Sequence, residues 1–329
     1  MNSEVRRPTR ISGPTAITCL ALSVSLDITY VVEKYQLDEI HRPTEILRLP
    51  GGKALNVARA ARELGAAVDV IGVVGGFTGQ LIRSLLGDIP ASFISDNPET
   101  RSCVSVASTS DGTLTEIYER AAPIGEHTWI ELENRVDGLE PRPGNWLVLS
   151  GSVPTGVPLD RLAAVLLRAG ERGFRVAVDS HGPALAAVLP AAELVKVNRA
   201  EAAELLGGDS SIELGDLASG IRAKMEVPSP TVIVTDGIDG VIALGGERLD
   251  SSGLVRLAGD SERGAFPVGS GDCFLAGFLT ALDRGEPLRG ALIAASACAS
   301  ANARQPGAAL FDLAEVDRAK SRIVALPLG

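Results

Sequence analysis

Four consecutive residues, Gly269-Ser270-Gly271-Asp272, combine the types and spacing best suited to chemistry in this chain, and they open directly into the apolar run that continues to Leu282. Gly269 and Gly271 lack a Cβ, so the backbone can tighten there. It then leaves several N–H groups pointing one way, at the positive end of the helix that follows. Such a turn binds an anion, most simply a phosphate. A carboxylate at the same turn would repel that ligand unless it acts as a base. Asp272 would then take a proton from a hydroxyl while the amides hold the phosphoryl group which that hydroxyl attacks. A plain glycine-rich strand-to-helix turn capped by an aspartate is the other reading of these four residues.

A second polar set lies in Gly51-Gly52-Lys53-Ala54-Leu55-Asn56-Val57-Ala58, a glycine turn that opens an amphipathic helix stopped by Gly65. Lys53 and Asn56 are three apart and so share a face. They either grip a ligand hydroxyl or phosphate or are solvated first-turn residues. Arg101 begins an alternating segment, where it is a ligand-facing cation or an exposed strand arginine.

These residues must be held by something, and the order of the chain says what. Strands are expected over residues 15–24, 68–74, 146–149, 175–178, 194–197 and 231–234, with helices after the Gly51-Gly52 turn, through Leu86, over 159–172, through Leu206, on to Leu282 and over 288–303. A βαβα rhythm of this kind gives a parallel sheet with right-handed crossovers. The polar clusters fall at the strands' carboxyl ends, which converge on one crevice in a doubly wound sheet. Asp27, Ser152, Asn198, Glu201, Thr235, Gly237 and Asp272 are therefore expected to be neighbours, with Asp27 at the end of the first central strand. Residues 28–35 and 44–49, and residues 101–107 and 114–118 across the Asp111-Gly112 turn, read as a small separate sheet over that crevice.

With 329 residues and 45% apolar content the chain can bury a large core, in one main domain with a small appendage. A net charge of −10 argues against a nucleic-acid or anionic-membrane surface. Cys19, Cys103, Cys273 and Cys298 are scattered and read as buried thiols of a reducing cytoplasm. Residues 1–14, polar and carrying Arg6, Arg7 and Arg10, read as a disordered tail and not a signal peptide. With no apolar stretch of spanning length, a soluble cytoplasmic protein is expected.

The chain carries no Walker P-loop, no G-x-G-x-x-G fingerprint and none of the zinc-protease, nucleophile-elbow or protein-kinase signatures. Only His41, His127 and His181 are available for histidine catalysis. What remains is phosphoryl transfer driven by positioning and electrostatics, with a base, an anion hole, a metal held by oxygen ligands and shielding from water.

The motifs resemble those of the PfkB carbohydrate kinases of the ribokinase superfamily. The stretch 51–58 looks like one signature of that family and Val268-Gly269-Ser270-Gly271-Asp272 like the other. Lys196-Val197-Asn198-Arg199-Ala200-Glu201 is similar to its K-P-N-x-x-E segment, and Ser150-Gly151-Ser152-Val153-Pro154 to its S-G-S-L-P. Lys53, Asp27 and Thr115-Glu116-Ile117 look most like the 1-phosphofructokinase and tagatose-6-phosphate kinase branch.

The resemblance implies a ribokinase-like α/β domain over residues 15–329: a doubly wound, mostly parallel sheet flanked by helices, with a small β-sheet lid formed from about residues 28–49 and 101–119. It implies Asp272 as catalytic base, with the backbone amides of Gly269, Ser270, Gly271 and Asp272 as anion hole. Asp27, Gly52, Lys53, Asn56 and Ser152 would hold the sugar, with Arg101 and Arg42 at its existing phosphate. Lys196, Asn198, Glu201, Thr235, Gly237 and Gly240 would line ATP, with Glu201 and Asn198 positioning Mg²⁺ through phosphates and water. Lids of relatives often pair, so a homodimer through the lid is implied.

Departures cluster at the sugar end, where the usual N-x-A-L-D is Ser23-Val24-Ser25-Leu26-Asp27 and G-G-K-G becomes Gly51-Gly52-Lys53-Ala54. The leading expectation is a kinase acting on a hydroxymethyl group of a sugar phosphate. A kinase of an unphosphorylated sugar, nucleoside or related metabolite is the near alternative, and a non-catalytic sugar-phosphate sensor the distant one.

Overall fold

A computed structural model describes residues 17–96, 98–142, 144–209, 211–245, 253–262 and 264–326. The expected tail over 1–14 lies outside the described residues. The first half of the chain runs β1 (Ile17–Ala21), β2 (Ser25–Val32), β3 (Glu45–Gly51), α1 (Lys53–Glu63), β4 (Val68–Gly75), α2 (Gly76–Leu85), β5 (Ala91–Asp96), β6 (Ser102–Ser108), β7 (Thr113–Tyr118), α3 (Glu126–Asp137), β8 (Trp146–Ser150) and α4 (Leu159–Glu171). It continues through β9 (Arg175–Asp179), α5 (Gly182–Val188), β10 (Leu194–Asn198), α6 (Arg199–Leu206), α7 (Leu214–Arg222), β11 (Thr231–Thr235), β12 (Val241–Leu244), β13 (Leu254–Leu257), α8 (Ser270–Asp283), α9 (Leu288–Asn302), α10 (Leu313–Lys320) and β14 (Ala325–Leu326).

The large sheet has ten strands in the order β14-β13-β12-β11-β10-β9-β8-β1-β4-β5. It is parallel from β11 to β5 and antiparallel from β12 to β14. Its central strands are apolar on both faces, as strands covered by helices on two sides must be. In β8, Trp146 and Val148 join the layer built with α1, α8 and α9, while Leu147 and Leu149 join the layer built with α3, α4 and α7. Truncating a fully buried side chain such as Leu147 to alanine should cost about 2–5 kcal/mol.

Helices α8 and α9 pack closely because the facing residues are small. A Cβ on Gly277 would come within 2.9 Å of Cys298 Sγ and 3.0 Å of Ala295 Cα. This contact fixes α8, and hence its first turn, against the rest of the layer.

The second sheet has four strands in the order β3-β2-β6-β7. The β6–β7 hairpin turns at Asp111-Gly112, where Gly112 has φ 66° and Asp111 Oδ1 accepts from Thr113 N at 3.1 Å. One sequence expectation is corrected. The first central strand ends at Ala21, the chain crosses between the sheets over residues 22–24, and Asp27 belongs to β2 of the small sheet, paired with Leu49 and Cys103. The apolar run through Leu26 hides this crossing, because both strands are buried there.

Candidate active site

Asp272 sits on the first turn of α8, with Gly269 as the residue before the helix. Gly269 has φ 79°, and a Cβ there would lie 2.8 Å from Ala309 N and 2.9 Å from Ala308 Cα, so conformation and space both demand glycine. Asn302 holds the turn from behind. Its amide donates to Val268 O at 2.8 Å and Ser270 Oγ at 3.0 Å, and its oxygen accepts from Leu310 N at 3.3 Å.

The Asp272 side chain does not cap its helix but points inward, where Asn56 Nδ2 donates to Oδ2 at 2.9 Å. Burial pushes its carboxyl up to about 7, with the neighbouring Asp179 charge adding to the rise and Lys53, the Asn56 hydrogen bond and Lys196 opposing it. A carboxylate with that value changes protonation where a general base must.

Of the amides expected to form the anion hole, two are already engaged. Ser270 N donates to Pro267 O at 3.0 Å and Asp272 N to Gly269 O at 3.1 Å. Among the described residues the Gly271 N–H has no hydrogen-bond partner. A Cβ on Gly271 would lie 2.8 Å from Lys196 Nζ, so an ammonium stands beside that amide.

Lys196, on β10, donates to Asp179 Oδ2 at 2.8 Å, and Lys53, on α1, donates to Asp179 Oδ1 at 3.0 Å. Lys53 also lies 3.5 Å from Glu201 Oε1. Burial raises the Asp179 carboxyl, but Lys196 and Lys53 outweigh it and hold the group below the usual range. Asp179 is absent from the residues singled out by sequence, although it ends a strand as the others do. Asn198 and Glu201 form a reciprocal cap on α6. Glu201 N donates to Asn198 Oδ1 and Asn198 N to Glu201 Oε2, both at 2.8 Å.

Asp27 lies over the Gly51-Gly52 turn. A Cβ on Gly51 would fall 2.0 Å from Asp27 Cγ, and Ser25 Oγ donates to Oδ1 at 2.6 Å. Burial raises the Asp27 carboxyl, against Ser25, Arg59 and Arg101, which lower it. Ser23 joins three of the expected substrate residues. Its carbonyl accepts from Arg101 Nη2 at 3.3 Å, its Oγ from Ser152 Oγ at 3.1 Å, and a Cβ on Gly52 would meet that carbonyl at 2.5 Å. Arg42 is not brought to this group. It is exposed in the connection beyond Val31↔Glu45, at the end of the β2–β3 hairpin opposite Asp27.

Under the small sheet, Asp27, Thr29, Cys103 and Ser105 face Phe266, Val268 and Ala308 across a gap of about 20 Å³. A cleft of about 900 Å³ is lined by Thr235, Gly237, Gly240, Pro267, Ser270 and Gly271, and by Gly112 and Leu114 of the small sheet, Leu114 lining both spaces. Arg199 anchors the loop after β11 through paired bonds to Asp236, of 2.9 Å from Nε and 2.7 Å from Nη2. Gly240 has φ 111°, and a Cβ there would meet Leu257 O at 2.1 Å. A cleft of this size suits a nucleotide, and Gly271, with Lys196 beside it, lies on its wall.

No group of three or more His, Cys, Asp or Glu side chains among the described residues could hold a metal alone. A divalent ion at Glu201 would complete its shell with phosphate oxygens and water, which suits Mg²⁺. No helix among the described residues is long and apolar enough to cross a membrane.

A doubly wound sheet, an acid on the first turn of a glycine-led helix and a nucleotide-sized cleft define an α/β small-molecule kinase of ribokinase-like fold. The chain belongs to the pfkB family of carbohydrate kinases, matching the family over residues 17–314. It is similar to phosphofructokinase-2 from Escherichia coli, solved with substrates and products, at 27% identity and TM-score 0.83 over 93% of this chain and 98% of that one. The same enzyme solved with fructose 6-phosphate gives 26% identity and TM-score 0.80 over 93% and 98% of the two chains. A Thermotoga maritima protein described as a possible 1-phosphofructokinase shares the fold at 20% identity, with TM-score 0.80 over 95% and 99%. The chain is thus a carbohydrate kinase, and membership of the family implies ATP as its phosphoryl donor.

Proposed function

We propose that this kinase phosphorylates a hydroxymethyl group of a sugar phosphate, with Asp272 as general base. The observation that carries the reading is the position of Asp272. It is buried, its carboxyl is raised to about 7, and it directly follows the turn whose Phe266 and Val268 line the gap under the small sheet and whose Pro267, Ser270 and Gly271 line the 900 Å³ cleft.

ATP supplies the γ-phosphoryl group. Asp272 accepts the proton of the attacking hydroxyl, and the Asn56 amide keeps the carboxylate turned toward it. The Gly271 N–H and the Lys196 ammonium offset negative charge developing on the transferred group. Lys53, held by Asp179 and Glu201, supports the same charge, and Glu201 with Asn198 orients Mg²⁺ through water and phosphate. Asp27 and Gly52 bind the sugar hydroxyls. The small sheet acts as a lid that swings away to admit a hexose, since the present gap holds little more than a water molecule. Two such lids pairing would cover the exposed Ile46 and Ile117, which sedimentation would report as a dimer.

Arg101 supports a phosphorylated substrate, being a partly buried cation whose charge acts on Asp27 and whose Nε has no hydrogen-bond partner among the described residues. The fructose 6-phosphate bound by the Escherichia coli enzyme belongs to that class. One observation favours an unphosphorylated acceptor instead: Lys53 is already counter-charged by Asp179 and Glu201, so it has no charge left to offer a substrate phosphate.

The test is ADP release from Mg·ATP with fructose 1-phosphate, tagatose 6-phosphate, fructose 6-phosphate, free hexoses and nucleosides, using Asp272→Asn as blank. Turnover confined to a phosphorylated ketose is expected. Turnover on an unphosphorylated compound alone would reassign the substrate class, and sugar-phosphate binding without turnover would favour a sensor.

A further inference from the structure

Arg59 lies on α1 one turn beyond Asn56, and no feature of the sequence singles it out. Its guanidinium is bonded to neutral oxygens only. Nη1 donates to Pro50 O at 3.2 Å and Asn56 Oδ1 at 3.3 Å, and Nη2 donates to Ala308 O at 3.0 Å and Ala309 O at 3.1 Å. Among the described residues it forms no ion pair; its charge acts on Asp27 and Asp272 only at longer range, and its direct contacts fix geometry.

Each contact reaches a different part of the site. Ala308 and Ala309 are the backbone against which Gly269 is pressed. Pro50 is the β3 residue paired with Leu26, next to the Asp27 pair at the root of the small sheet. Asn56 is the hydrogen-bond donor to Asp272. A carboxylate only accepts, so Asn56 must turn its NH₂ toward Asp272 and its oxygen away. An amide turned the other way would set two oxygens against each other. The Arg59 donor on Asn56 Oδ1 selects the productive orientation.

We infer that Arg59 is a positioning residue of the phosphoryl-transfer centre, which sets the Asn56 amide and through it the orientation of Asp272. The inference rests on the reading of Asp272 as the base. Loss of this orientation slows the chemical step and leaves nucleotide binding alone, because none of the Arg59 acceptors lines the large cleft.

The experiment is a double-variant cycle on the full chain, measuring kcat and the KM for ATP of Arg59→Met, Asn56→Ala, the two combined, and Arg59→Lys. Arg59→Met should lower kcat about 10- to 100-fold with the KM for ATP within about twofold. Arg59→Lys, which keeps a donor, should recover part of the loss. If Arg59 acts through Asn56, the combined variant is no slower than Asn56→Ala alone.

Losses that multiply in the combined variant would overturn the inference. So would an unchanged kcat in an Arg59→Met protein that merely melts earlier. Should Arg59→Met fail to fold, the same cycle is run with Arg59→Lys, whose loss must likewise vanish in the Asn56→Ala background. Asp272→Asn serves as control. If it retains full turnover the reading of the base has failed, whereas an inactive Asp272→Asn with multiplicative losses refutes the Arg59 inference alone.

Discussion

Lys196 donates to Asp179 at 2.8 Å inside the carboxyl end of the sheet, where Asp179 is fully buried. With Lys53 on its other oxygen, Asp179 neutralises two ammoniums that would otherwise be held close together. Removing one member of such a buried cluster strands the rest. Asp179→Asn should therefore cost about 3 kcal/mol in urea denaturation and lower kcat as both lysines lose their orientation. The Asp179 carboxyl is held below its usual range, so its stabilisation is present above the ordinary carboxylate range and lost as pH falls. A variant as stable and active as the parent would deny Asp179 its structural part.

Asp272 predicts the pH dependence. With its carboxyl raised to about 7, kcat/KM should climb with pH through about 7 and then level off. Stability should run the other way. The folded chain keeps this proton longer than the unfolded chain, so stability falls as pH rises from the ordinary aspartate range toward 7. Asp272→Asn should abolish that slope and lower kcat about 10³-fold while ATP still binds. An acid limb near the ordinary aspartate range would contradict the assignment.

Gly271→Ala probes the phosphate end. Its Cβ would sit 2.8 Å from Lys196 Nζ, the mobile end of a side chain, so the fold should survive with Lys196 displaced. The expected result is a kcat reduced about 10²-fold in a protein that still folds but melts somewhat below the parent, because displacing Lys196 weakens its bond to Asp179. An unaltered kcat would remove the Gly271 amide and Lys196 from the charge-stabilising set.

Gly51→Ala probes the sugar end. The new Cβ would overlap the Asp27 carboxylate, at 2.0 Å from Cγ, and push it out of its place over the turn. The KM for the acceptor should rise about tenfold or more, with the KM for ATP unchanged. A rise in the ATP constant instead would mean that Asp27 and Gly51 do not face the sugar.

Much of the frame is legible in the amino-acid order. The glycine turns at 51–52, 75–76 and 269–271, the apolar strands and the helices over 53–63, 159–171 and 199–206 all announce themselves through local conformational preference and periodicity. Local rules also carry the cap of Asn198 and Glu201, which lie three apart on one turn. Even α3, not among the expected helices, has a readable stripe in Trp129, Leu132 and Val136.

Tertiary structure alone decided which residues meet across distance. Asn56 reaches Asp272 from 216 positions away, Lys53 reaches Asp179 from 126, and Arg59 reaches Ala308 from 249. No local pattern marks such pairs, because their partners come from different layers of the sheet. It also moved Asp27 from the central sheet to the small one and left Arg42 at the far end of its hairpin, since a strand's sheet is set by its pairing partners and not by its own residues. The raised carboxyl of Asp272 belongs here too. Burial and a neighbouring aspartate create it, and both exist only once the chain has folded.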